Sequence, residues 1–207
     1  MANSAVESRL VFIDLETGGI DPKRHPILQL AAIAVDDQLE MLEAFEAKIK
    51  FDSRKAKAHS LRKNHYHPGV WAKEARDGKE VAREFAEFLR RHATVPALSG
   101  RGEPYNVAQL VAHNAAFDAP FLATWYEKLG IYLPARRLVL CTMQLAMWQF
   151  AMSDQPPANF QLATLCKHLG VPFHAAAAHD ALGDVTATVR LFQAIAERSR
   201  QPQSAAA

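Results

Sequence analysis

The sequence predicts an α/β fold built on a mixed sheet, and three observations lead there. Leu10-Val11-Phe12-Ile13 is a short continuous apolar run, the pattern of a central strand buried on both faces. Ile27–Val35 and Met41–Ile49 are two more strand candidates, joined by the turn Asp36-Asp37-Gln38, so they should pair antiparallel. Further along, helical and strand patterns alternate, as expected where helices cover a sheet.

Each element follows from its own pattern. The third strand should be half exposed, because Glu46, Lys48 and Lys50 share one side. From Phe51 to Gly78 the chain is basic, rich in histidine and expected to be irregular. His65 and His67 alternate as on one strand face, but a turn-like, charged segment makes a poor metal site. Val81, Phe85, Phe88 and Leu89 then fall at helical spacing and make one apolar stripe. A Pro/Gly-rich loop, Thr94 to Pro104, leads to a strand at Val107–Ala112, then to a helix from about Ala116 to Leu129, stopped by Gly130. Leu138-Val139-Leu140 reads as the last strand, Thr142–Ala151 as a helix and Ser153–Ala158 as a loop. Gln161–Leu169 is a helix ended by Gly170 and Pro172, and Ala181–Glu197 is the final one.

Composition bounds the rest. The 207 residues, 49% hydrophobic and 22% charged, suit one globular domain, expected over residues 1–200 with 201–207 as a frayed tail. Two cysteines, Cys141 and Cys166, form no C-x-x-C pair, which argues against a disulfide framework and for a reducing, cytoplasmic location. No apolar leader and no 18-residue apolar run occurs, so no membrane partner is expected. Net charge is only +2, yet thirteen Lys/Arg stand against six Asp/Glu between Lys48 and Arg91. That segment is suited to a polyanion, and the remainder of the chain is acidic.

The acidic residues are the more informative. Asp14 and Glu16 stand two apart at the end of the buried first strand, hence on one side of it. Like charges crowded at an apolar strand end are costly unless a cation neutralises them, and hard oxygen ligands suit Mg²⁺ or Mn²⁺. Thr17-Gly18-Gly19 follow, with room for close approach of a substrate. Asp118 falls in the first turn after the strand end Val111-Ala112-His113-Asn114, where the helix dipole alone would favour an acid. Asp184 borders the core stripe Leu182, Val185, Val189 and Phe192 of the last helix, so it needs a partner. His179 precedes it in a loop, placed to take a proton from water.

Taken together, F-I-D-L-E-T-G, V-A-H-N-A-A-F-D and H-D-A-L-G-D resemble the three motifs of the DEDDh (DnaQ-like, ribonuclease T-like) 3′→5′ exonucleases. The resemblance spans about Leu10 to Glu197 and implies a ribonuclease H-like fold with a mixed five-stranded sheet. It implies two divalent ions, Mg²⁺ or Mn²⁺: Asp14 bridging both, Glu16 and Asp184 completing the tighter site, and Asp118 holding the second partly through water. It implies His179 as general base and a 5′-mononucleotide as product. Leu15, Thr17, Gly18 and Asn114 look like the segments that cradle the terminal nucleotide. Phe117 stands where ribonuclease T-like enzymes stack a base, though packing of the helix start explains it equally.

Two departures limit the transfer. The stretch His59-Ser60-Leu61-Arg62-Lys63-Asn64 has His and Lys where ribonuclease T has Glu and Phe, so that enzyme's base preference is not implied. Cys141-Thr142 replaces an Asp-Thr pair whose Asp binds no metal in the family. The expected substrate is a single-stranded 3′ end, DNA ahead of RNA, with RNA 3′-end trimming as the alternative. A homodimer or association with a polymerase is compatible with the family. Two other classes account for less. An HD-type phosphohydrolase leaves the Asp14/Glu16 pair unexplained, and a non-catalytic nucleic-acid-binding subunit would not need all five competent residues.

Overall fold

The computed structural model of the protein describes residues 8–173 and 180–200. The expected tail, 201–207, and His179 lie outside the described residues. The elements are β1 (Leu10–Thr17), β2 (Ile27–Val35), β3 (Met41–Lys48), α1 (Ala58–Lys63), α2 (Pro68–Glu74) and α3 (Gly78–Arg91). They continue as β4 (Val95–Leu98), β5 (Pro104–Val107), β6 (Gln109–Ala112), α4 (Ala115–Leu129), β7 (Leu140–Cys141), α5 (Thr142–Phe150), α6 (Leu162–His168) and α7 (Ala181–Arg200).

A five-stranded mixed sheet in the order β3-β2-β1-β6-β7 organises the molecule. The opening strands pair antiparallel, whereas β6 joins β1, and β7 joins β6, in parallel. β1 is therefore central, and its alternation divides the core in two. Val11, Ile13 and Leu15 face α3 and α4, packing with Phe85, Phe88, Leu122 and Tyr126. Phe12 faces α7 with Ile33, Val35, Val111, Val185 and Val189. α5 and α6 then cover α7 through Ala146, Leu165, Leu191 and Ile195. Among the described residues no helix is long and apolar enough to cross a membrane.

Three expectations need correction. The segment after β3 is not irregular: it forms a 3-10 turn at Ser53–Lys55 and the helices α1 and α2. These helices are six and seven residues long and contribute a single buried side chain, Trp71, so they leave no apolar stripe to read. The Thr94–Pro104 loop instead contains the strands β4 and β5, which form a separate two-stranded sheet. The last strand of the main sheet is Leu140–Cys141, displaced from the exposed Leu138.

The face between β1 and α3 concentrates large fully buried rings. Phe85 is wholly inaccessible and meets Phe45 and Phe88 at ring distances of 5.2 and 5.8 Å. Phe85→Ala should therefore lower unfolding free energy by about 3–5 kcal/mol. Urea unfolding checks this: the midpoint falls while the slope is unchanged, and a loss below about 1 kcal/mol would show that the face repacks.

Candidate active site

The site forms where β1 leaves the apolar layer. Phe12, Asp14 and Glu16 share one face of the strand, and that face is the one α7 covers. α7 runs back along β1: Phe192, towards its end, meets Phe12 edge-on at 5.5 Å, and Asp184, in its first turn, meets the carboxylates. Asp14, Glu16 and Asp184 each offer an oxygen, and these oxygens lie within 4.8 Å of one another.

Asp118 arrives from the opposite side. β6 stops pairing with β1 at Ile13↔Ala112, and Asn114 then adopts a left-handed conformation (φ 61°, ψ 51°), which Asn tolerates better than most side chains. That turn starts α4 at once and buries Asp118 in its first turn, where the backbone N–H groups of Leu15 and of Asp118 itself favour its ionised form.

α7 is fixed by a contact from β2. Gln29 lies opposite Glu16 in the strand register, and its amide donates to Asp180 Oδ1 at 3.0 Å and to Glu46 Oε1 at 2.8 Å. Asp180 Oδ2 in turn accepts the Gly183 N–H of α7 at 3.4 Å. The start of the last helix is thereby tied to the strand beside the acidic pair.

A cavity of about 360 Å³ opens over these carboxylates. Asp14, Leu15, Glu16, Thr17, Asn114, Phe117, Asp118 and Asp184 all line it. Gly18 is not among its lining residues. It sits in a tight packing position, where an added Cβ would lie 2.9 Å from both Ala56 and Pro26. Phe117 is part-exposed in the cavity and also packs on Phe121 at 5.0 Å, which accommodates both readings of its role.

The far wall comes from the stretch where the family resemblance departs, His59–Asn64. His59, Ser60, Lys63 and Asn64 reach the cavity from α1 and its C-terminal end, and the buried Asn64 amide donates to the Thr17 carbonyl at 2.9 Å. The i, i+4 spacing of His59 with Lys63 and of Ser60 with Asn64 is the signal the sequence offers. His113 also lines the cavity. Its Nε2 meets the Phe160 carbonyl at 3.1 Å and its Nδ1 meets the Thr142 hydroxyl at 2.9 Å. The carbonyl can only accept, which assigns the proton to Nε2, and burial pushes the ring below the ordinary histidine range. A neutral His113 thus fastens the loop before α6 to the rim.

The carboxylates also perturb one another. Burial, together with Asp118, Glu16 and Asp184, holds the Asp14 carboxyl well above the ordinary range. Burial and then Asp184 push Glu16 up to about 8, with Lys63 opposing. Burial raises Asp118 to about 7. Three close hard oxygen donors, costly to ionise together, are a set that a small divalent cation would satisfy.

The RNase_T exonuclease model matches residues 11–100 and 103–192. The DNA polymerase III PolC-type protein of Halalkalibacterium halodurans is 30% identical over 189 residues, 90% of this chain and 11% of that protein. E. coli exonuclease I in complex with a dT13 oligonucleotide has TM-score 0.71 and 19% identity, over 95% of this chain and 42% of that one. The zinc-bound E. coli exonuclease I complex with single-stranded DNA matches at TM-score 0.71 and 18% identity, with the same coverage of both chains. These structures share the ribonuclease H-like fold. The chain spans only a small part of the PolC-type protein's length and under half of exonuclease I.

A pH effect follows from the raised carboxyls. A carboxyl whose folded pKa exceeds its unfolded value holds its proton more tightly in the native state. Its contribution is full below the unfolded pKa and is lost as pH rises through the folded one. Without divalent ions the melting temperature should fall between about pH 5 and pH 8, and Glu16→Gln should flatten that fall. Thermal melts in chelator across this window check it; a flat wild-type profile would contradict the raised carboxyls.

Proposed function

The chain belongs to the RNase_T exonuclease family, and from that premise we propose that it is a divalent-metal-dependent 3′→5′ exonuclease acting on single-stranded 3′ ends, DNA ahead of RNA. The observation that supports this most is the meeting of Asp14, Glu16 and Asp184 within 4.8 Å, on two elements far apart in sequence, beneath a cavity. The family match over both halves of the chain supports reading it as one exonuclease unit.

Asp14, Glu16 and Asp184 are the residues suited to hold the tighter ion, with Asp14 and Asp118 serving a second. When bound, such a pair of Mg²⁺ or Mn²⁺ ions stabilises the entering and leaving oxygens of an in-line phosphoryl displacement. The protein's own groups do the rest. Water attacks the terminal phosphodiester phosphorus, its proton passes to His179, and the bond from phosphorus to the 3′ oxygen of the preceding nucleotide breaks, that oxygen taking a proton from solvent. A 5′-mononucleotide and a new 3′ hydroxyl result. His179 has this role from its place in the H-x-A-x-x-D motif. Leu15, Thr17 and Asn114, which line the cavity, are placed to contact the terminal nucleotide, and Gly18 acts through packing. Phe117 offers a face on which any base can stack. DNA is favoured because the PolC-type relative is a DNA polymerase and exonuclease I is seen with a thymidine oligonucleotide.

Asp14→Asn, Glu16→Gln, Asp118→Asn and Asp184→Asn should each abolish cleavage while the folded state persists, and excess EDTA should do the same to the wild type. His179→Ala should lower turnover by about 10²–10⁴ and flatten the acidic limb of the pH–rate curve. Both are read with 5′-labelled single-stranded oligonucleotides. Full activity in EDTA would end the metal reading, and an unchanged pH profile would move the base to another group.

A second comparison decides the substrate. Equimolar single-stranded DNA, RNA and blunt duplex should be degraded in that order, without marked base preference. Digestion of RNA with DNA untouched would assign the chain to RNA trimming.

A further inference from the structure

Beside the carboxylate cavity lies a second groove, of about 680 Å³, that no motif marks. Lys23 and Arg24 from the β1–β2 loop, Lys50 and Lys55 from the segment after β3, Lys79 from α3 and Lys128 from α4 converge on it. Its two acids are already engaged. Asp52 is held by the Arg54 guanidinium at 3.0 and 2.9 Å, and Asp77 caps α3 by accepting the N–H groups of Lys79 and Glu80.

Several neighbouring cations are paired: Lys48 with Glu74, Arg76 with Glu80 and Glu84, Arg90 with Glu87, and Arg91 with Glu43. Among the described residues, Lys23, Lys50, Lys55 and Lys79 form no such pair, and all four are exposed. Lys128 donates to the carbonyls of Pro22 and Lys23 at 3.1 and 2.8 Å, which fixes the loop bearing Lys23 against α4. Five lysines, Lys23, Lys50, Lys55, Lys79 and Lys128, thus share one wall of the groove.

Three segments connect the groove with the carboxylate cavity. α4 gives Phe117 and Asp118 to the cavity and Phe121, Trp125 and Lys128 to the groove. The β1–β2 loop gives Gly19 to one and Lys23 to the other, and the stretch after β3 likewise contributes Lys63 and Lys55. Along α4, Phe117 and Trp125 are two turns apart, about 12 Å. Part-exposed Phe51 and Trp125 add ring surface to the cations.

We propose that this groove binds the sugar-phosphate backbone of a single nucleic-acid strand upstream of the 3′ end held in the cavity. The proposal rests on the nuclease reading for its direction, but its chemistry is separate: lysine ammonium groups on phosphates, with rings beside them, independent of sequence. It predicts that affinity grows with strand length beyond what the cavity holds.

The test uses the full chain in EDTA, so that binding is read without cleavage. Fluorescence anisotropy would compare a labelled dT3 and a dT20 for the wild type and for the variant Lys23→Ala/Lys50→Ala/Lys79→Ala. All three lysines are exposed, and circular dichroism checks the variant's fold. The dT20 dissociation constant should rise at least tenfold in the variant and that of dT3 less than twofold. The slope of log affinity against log salt should shrink by about 2, at about 0.7 per lost single-strand phosphate contact. Glutamate replacements at the same positions should weaken dT20 further. Unchanged dT20 affinity and slope, equal losses for both lengths, absence of wild-type dT20 binding, or inorganic polyphosphate competing as well as dT20 would each overturn the proposal. The nuclease reading fails separately, if labelled strands stay intact with Mg²⁺ or Mn²⁺ while dT20 binding holds.

Discussion

Mutual repulsion among the carboxylates at the end of β1 is the constraint on which the rest of the structure depends. Left to themselves, Asp14, Glu16, Asp118 and Asp184 would separate into water, because each loses hydration where they meet and each disfavours its neighbours' charge. They stay together because apolar packing outweighs the repulsion. β1 is buried on both faces, its even-numbered side chains lead from Phe12 straight to the acids, and α7 is locked antiparallel to it by Phe192, Val185 and Val189. Contributions of roughly 1.5–3 kcal/mol for each large buried side chain are what hold such an arrangement in place. The repulsion left over is then available to be relieved by a small, highly charged cation.

Much of this is legible in local sequence pattern. The apolar run at Leu10–Ile13, the i, i+2 spacing of Asp14 and Glu16 and the stripe through Leu182, Val185 and Phe192 are short-range signals. They place the central strand, the shared face and the last helix in agreement with the fold. Asp118 is readable because its strand, turn and helix lie within ten residues. His179 lies outside the described residues, so its place rests on the motif.

What sequence pattern does not carry is set by tertiary contact. α1 and α2 bury too little to show a hydrophobic period; their position comes from Asn64 binding the Thr17 carbonyl and from Trp71 packing against Tyr66 and Leu28. The tie from Gln29 to Asp180 joins residues 151 positions apart, and no spacing rule anticipates it. Gly18 illustrates the converse: a glycine that reads as making room for substrate makes room for Ala56 and Pro26. The basic run after Lys48 is visible as composition, yet composition does not separate Lys48, neutralised by Glu74, from Lys50 and Lys55, which face the groove.

The acidic cavity and the basic groove also answer a problem that neither addresses alone. A strand of phosphates approaching four carboxylates meets like charge, and screening at physiological ionic strength weakens that field only beyond about 8 Å. Cations placed among the carboxylates would remove the barrier, but they would also neutralise the ligands that a divalent ion needs. Among the described residues, Lys63 is the basic side chain whose field reaches Glu16 strongly enough to oppose its raised pKa. Lys23, Lys50, Lys55, Lys79 and Lys128 stand off in the neighbouring groove, on the β1–β2 loop, the segment after β3, α3 and α4. On the proposed reading, this separation would let a strand be attracted at one place and its terminal phosphate be neutralised by ions at the other. One helix spans the two: the first turn of α4 supplies Asp118 to the cavity, and Lys128, about three turns on, lines the groove.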